Sequence, residues 1–218
     1  MADPTAPPGR PMTAALAVAA AAFAAGVRLV PYDYRVLNFV PLGAVALFAG
    51  ARLGLRAALL LAVGVRVVTD IGLWVQHDRS ELYTPWFLAP ALHGWTQDAV
   101  WAVAAGTVAY ACLAGYALIG RRFLAGTESP AAIGGGAVAA GLLFFLATNF
   151  VSWLAQMVPY GYTPGGLWDC YVAAVPFYRG TFVSDLVFTG LLFGAHAALA
   201  RAAFPAERVA PAAAGVRA

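Results

Sequence analysis

The sequence predicts an all-α membrane protein, a bundle of about six transmembrane helices with both termini cytoplasmic. Three observations carry this. Of the 218 residues, 62% are hydrophobic and only 11% are charged. Apolar runs recur at roughly 20 residues, the length that crosses a hydrocarbon core. All basic residues are arginine, and they gather near the ends of those runs, where they act as topology signals. So apolar a composition excludes a soluble domain. The net charge of +3, spread over span ends, gives no nucleic-acid surface, and no nucleic-acid partner is expected. The chain reads as one domain.

The elements follow in order. Residues 1–11, rich in Pro and Ala, read as a disordered tail. The first span covers 12–30. It reads as a retained helix rather than a cleaved signal, because the apolar stretch runs on to Val30 without a polar cleavage region. The second, 39–51, is short and contains Pro41. The tight RLGLR turn at 52–56 leads to the third, 55–76. The fourth, 97–119, opens with Asp98 as a cap. The segment GRRFLAGTESP joins it to the fifth, 133–155. The sixth covers 174–200 with Pro176 in its first turn, a position proline tolerates. The transmembrane domain is therefore 12–200, and 201–218 reads as a second disordered tail.

With the N-terminus inside, Arg10, Arg52, Arg56, Arg121, Arg122, Arg201, Arg208 and Arg217 all fall on the cytoplasmic side. The outer loops are longer and aromatic. They carry Tyr32, Tyr34, Tyr83, Trp86, Trp95, Tyr160, Tyr162 and Trp168. An interfacial belt explains about half of these. The Pro and Gly residues within 159–166 suit a shaped lid over an outward pocket.

Ionisable residues inside spans are costly and point to function by default. Arg66 and Asp70 lie at i and i+4 on one face of span three. Asp185 lies in span six and Asn149 in span five, while Asn38 opens span two. At about 1.5 Å per residue, Asp70 matches Asn149 in depth and Arg66 matches Asp185. Two readings stay open. In one, Arg66, Asp70 and Asp185 form a structural charge network that locks the helices. In the other they form the polar floor of a ligand pocket with Asn38, Trp74, Asn149, Trp153 and Tyr162, the two tryptophans stacking on a planar ring. The phrases NFV and V-[TS]-D-[IL] occur twice, around Asn38 and Asp70 and around Asn149 and Asp185, a weak echo of a duplicated span pair.

Enzyme signatures are missing: there is no G-x-S-x-G, H-E-x-x-H or C-x-x-C. Paired carboxylates at Asp70 and Asp185 lack a nucleophile, so no catalytic residue is expected. Cys112 and Cys170 give neither a metal spacing nor a disulfide framework. His77, His93 and His196 do not share a depth, and neither a metal nor a cofactor is expected. The first span carries small residues at i, i+4 in Ala15/Ala19, Ala17/Ala21 and Ala20/Ala24. Such faces serve close packing within the bundle or docking to a partner membrane protein.

The stretches LNFVPLGAVALFAGARLG (37–54), VTDIGLW (68–74), NFVSWL (149–154) and YTPGGLWDCYVAAVPFYRGTFVSDLVFTGLLFG (162–194) resemble an uncharacterised family of bacterial six-span membrane proteins. That family is similar, in architecture more than in motif, to the substrate-binding (S) components of energy-coupling factor transporters. The resemblance implies a multi-pass protein of the bacterial inner membrane that binds a vitamin-like micronutrient near the outer face. It implies outer loops that act as lids. It also implies an alanine-rich first helix that docks to a membrane coupling protein driven by ATPases. The chain has no ATPase motif of its own, as a binding subunit would not, and carries no substrate signature. Its first outer loop, 31–37, is short.

Overall fold

The computed structural model describes residues 10–31, 34 and 39–209. Among these every regular element is helical. They are α1 (Pro11–Leu29), α2 (Leu42–Arg52), α3 (Leu55–Gln76), α4 (Ala89–His93), α5 (Gln97–Ile119), α6 (Pro130–Leu154) and α7 (Pro164–Ala202). A π turn, Gly120–Leu124, extends α5, and single 3-10 turns occupy Glu81–Tyr83 and Pro205–Glu207. Five helices, α1, α3, α5, α6 and α7, are long and apolar enough to cross a membrane. The chain is thus built as a multi-pass membrane protein.

The expected second span differs most. At 11 residues α2 is about 16 Å long and cannot cross a bilayer alone. Every one of its residues is buried. A helix that is apolar all round belongs inside a protein, and α2 sits at the centre of the bundle with α3, α5 and α7 packed around it. Its glycines permit this. A Cβ on Gly50 would strike the backbone of Ala117, and one on Gly120 would strike the carbonyl of Leu47. The backbones of α2 and α5 therefore touch, as small residues allow between membrane helices. Val45, Leu47 and Phe48 fill the core, and Phe193 meets Phe48 edge-on at 5.3 Å.

The sixth span differs in length. It begins at Pro164, not 174, and runs for 39 residues, about 58 Å against a hydrocarbon core of about 30 Å. Thr163 caps it by accepting from the Gly166 amide. Pro176 therefore lies inside the helix rather than in its first turn. The loop before it contracts to 155–163, and Trp168 and Asp169 ride on α7. The fifth span starts three residues early at Pro130, capped by Ser129, and the fourth is capped by Thr96 rather than Asp98.

Residues 201–209, expected within a disordered tail, are ordered, for a specific reason. Glu207 reaches back to α1, accepting from the amides of Met12 (2.9 Å) and Thr13 (2.8 Å) and from the Thr13 hydroxyl (2.6 Å). Arg10, the residue before α1, offers no side-chain cap, so the cap comes from the far end of the chain. His196 adds a contact to the Thr13 hydroxyl at 3.0 Å. These contacts place the start of α1 and the end of α7 at one end of the bundle. Arg10 donates there to the Arg52 carbonyl, and Arg52 donates to the carbonyls of Leu124 and Thr127. The described arginines counted on one side in the sequence thus share one end.

Candidate functional site

In the middle of the bundle, α2 begins where α1, α5 and α7 leave a gap. The gap is a cavity of about 320 Å3. One wall carries Arg28 of α1 and Arg66 of α3; the facing wall carries Tyr116 of α5 and Asp185 of α7; Leu42 and Gly43 open α2 between them. Thr181, Phe144, Leu113 and Val40 complete the lining.

The arginine wall is organised by Asp70. Its Oδ1 receives Arg28, its two oxygens share Nε of Arg66 at 3.1 Å, and Oδ2 accepts from the Tyr110 hydroxyl at 2.8 Å. The Arg66 guanidinium also lies 5.7 Å from the centre of the Tyr110 ring, and Trp86 packs edge-on against that ring. Gly106 makes room for Trp86, since a Cβ there would collide with the indole. Two guanidiniums share one carboxylate. Both arginines also line the cavity.

The opposite wall is acidic and separate. Asp185 is only 2% exposed. Its Oδ2 accepts from the Tyr116 hydroxyl at 2.5 Å. Among the described residues no arginine lies within ion-pair distance of it. Gly43 is required beside it: a Cβ there would lie 2.5 Å from the Tyr116 ring and 2.6 Å from Asp185 Oδ1. Gly141 of α6 makes a similar allowance, close to the hydroxyls of Tyr178 and Tyr116. The Tyr178 hydroxyl and Ser184 Oγ are buried without a partner, so polar capacity on this side exceeds what the protein uses.

The expected site residues divide accordingly. Arg66 and Asp185 both line one cavity, but Asp185 is outside the ion network. Arg28 and Tyr110 take its place around Asp70. Asp70 faces its partners and is not among the lining residues. Asn149 stands elsewhere. Its amide donates to its own helix at Phe145 O (2.8 Å), and it borders a shallow groove between α6 and α7. Trp153 and Tyr162 staple the 155–163 loop: Trp153 donates to Gly161 O and Tyr162 to Leu154 O, each at 3.0 Å, with their rings edge-on at 5.7 Å. Trp74 lies outside the cavity, under the Arg79 guanidinium at 5.9 Å. Asn38 lies outside the described residues.

Arg28, Tyr110 and Tyr116 were missed as site residues. A signal existed for the tyrosines: each is a hydroxyl deep in an apolar span, and such a group needs a partner. Arg28 looked like a span-end charge because its partner is 42 residues away.

On α1, Ala17, Ala21 and Ala24 turn into the core, whereas Ala15, Ala19 and Ala22 are exposed. Cys112 and Cys170 are both free and buried.

Residues 9–209 match the model of a family of unknown function, DUF6580. No curated protein and no solved structure matches the chain.

Proposed function

The chain belongs to DUF6580, whose function is unknown, and from the two-walled cavity we propose that it is a membrane-embedded binding subunit for uptake of a small organic micronutrient, similar to an S component. The observation that carries this is the gap between Arg28 and Arg66 on one side and Asp185 and Tyr116 on the other. A protein that needed only to neutralise Asp185 would bring an arginine to it. Here the charges stay apart across a space at the lower end of the range of small-molecule sites, about 300–1,000 Å3. Its chemistry suits a compact molecule with an acidic group for the arginines and a donor for Asp185. Binding rather than turnover is proposed, because no nucleophile stands beside the carboxylates.

Further parts of the reading rest on placement. The arginine-rich end is assigned to the cytoplasm of a bacterial inner membrane, which sets the cavity towards the outer half. The exposed Ala15, Ala19 and Ala22 face of α1 supports docking to a coupling protein driven by separate ATPases.

The experiment is mass spectrometry of small molecules released from detergent-purified protein, paired with a thermal-shift screen of vitamins. A stoichiometric compound that is lost in folded Asp185→Asn and Arg66→Gln variants supports the assignment. An empty cavity with no thermal shift across the panel moves the balance to a second reading, an assembly protein without a small ligand. One observation favours that alternative: every oxygen of Asp70 is satisfied by protein groups, as in a purely helix-locking cluster.

A further inference from the structure

A second and larger cavity, about 530 Å3, lies at the arginine-rich end between the first turns of α6 and the last third of α7. It shares no lining residue of consequence with the central one apart from the helix that carries Asp185. Its polar rim is formed by Arg52, Arg201 and Glu128. Arg201 and Glu128 pair at 2.5 Å, and this pair is the more exposed part of the rim. Arg52 is different. It is 4% exposed, and among the described residues no carboxylate lies within ion-pair distance. Two of its nitrogens serve the carbonyls of Leu124 and Thr127, its plane lies 4.7 Å from the Phe193 ring, and its Nε is buried with no partner. The Thr189 hydroxyl, 1% exposed and lining the same space, is also unpartnered. Two guanidiniums against one carboxylate leave one positive charge to be met, and an unmet charge inside a protein is costly.

The rest of the wall is apolar and open. Gly190 and Gly194 line it, and a Cβ on either would meet nothing within 4 Å. Among the described residues no side chain fills this space, and it lies at the end of the bundle where Arg10, Arg52 and Arg201 gather.

We propose that this cavity binds an anionic amphiphile of the membrane, its phosphate or carboxylate head group between Arg52 and Arg201 and its apolar part along the glycine face of α7. The head group receives Arg52 Nε and the Thr189 hydroxyl, two donors on residues lining this cavity that have no partner among the described residues. Arg201 closes over it from the more exposed side.

Native mass spectrometry of the full chain, loaded with phosphatidylglycerol or phosphatidylcholine, tests this. One phosphatidylglycerol should be retained in preference to phosphatidylcholine. Arg201→Gln should weaken that retention at least about tenfold, the loss expected for one charge-assisted hydrogen bond. Gly194→Leu puts a side chain into the apolar half from a position whose Cβ meets nothing within 4 Å, and should displace the lipid while leaving the melting temperature of lipid-free protein unchanged. Inorganic phosphate alone should give no comparable thermal shift. Equal retention of the two lipids, or unchanged retention in Gly194→Leu, overturns the proposal. A phosphate shift as large as that of the lipid, insensitive to Gly194→Leu, also overturns it, by assigning the site to a free anion. None of these outcomes touches the central cavity, whose reading stands or falls on Asp185 and Arg66.

Discussion

Asp70 and Asp185 are both aspartates inside membrane-length helices, and the fold treats them in opposite ways. Asp70 is surrounded by donors: Arg28, Arg66 and Tyr110 use both of its oxygens. Among the described residues Asp185 has one side-chain donor, Tyr116, and it borders an open cavity. A carboxylate with every lone pair answered holds helices together. A buried carboxylate with capacity to spare is an invitation to something else. Under the proposed function, the difference separates a structural charge from a binding one.

The comparison can be broken by mutation, starting with the largest effect. Asp70→Ala removes the carboxylate that Arg28, Arg66 and Tyr110 share. It should cost about 3–5 kcal/mol, measured as loss of the folded fraction in a detergent unfolding series. Gly43→Ala comes next. Its methyl intrudes on Tyr116 and Asp185, an overpacking worth about 1–3 kcal/mol, and any ligand of the central cavity should be lost with it. Both effects are read by thermal shift with and without that ligand. Asp185→Asn should change stability by less than about 1 kcal/mol, because the amide oxygen still accepts from Tyr116. Ligand affinity should nevertheless fall at least about tenfold. If Asp185→Asn proves as destabilising as Asp70→Ala, the distinction between the two carboxylates fails. A double-mutant cycle sharpens it: Arg66 should couple to Asp70 and show little coupling to Asp185.

A local effect concerns a third acid, Glu207, outside the spans. Burial alone would raise its pKa, but the Thr13 hydroxyl and the amides of Thr13 and Met12 overcome this and lower it below its ordinary value. Because the folded value lies below the unfolded one, the cap contributes fully at neutral pH. That contribution is lost as pH falls from the ordinary carboxylate range through the folded value. Glu207→Ala should cost about 0.5–2 kcal/mol at neutral pH. The variant and the parent should converge in stability in acid, a comparison read from melting temperatures across pH.

Part of the site was legible because it is local. Arg66 and Asp70 are one helical turn apart, and a turn is fixed by the chain itself. Asp185 announced itself by cost, since a carboxylate in an apolar run must have a reason. Tyr110 and Tyr116 signalled only that each hydroxyl needs a partner, and neither their partners nor the role of Arg28 was legible, because the groups they meet arrive from other helices. Asn149, Trp153 and Tyr162 were read into the pocket on chemistry alone. The structure spends them on a helix carbonyl and on stapling a loop. The short α2 left a trace in its all-round apolar run from Leu42 to Ala51, which suits burial among helices as well as a span.

What the sequence determined by itself is the class of solvent: an apolar composition with runs of membrane length must bury its backbone in helices, since lipid offers no hydrogen bonds. It also marked one end of the bundle, through Arg10, Arg52, Arg201 and Arg208 at the joints there. Only the tertiary structure decided which helix lies at the centre, which arginines share Asp70, and that Asp185 stays apart from them. The reason is one of range. Hydropathy and helical spacing are set by neighbours within a few residues, whereas a charge buried in a bundle is answered by whatever side chain packing brings to it, from 42 residues away for Arg28 and 69 for Tyr116.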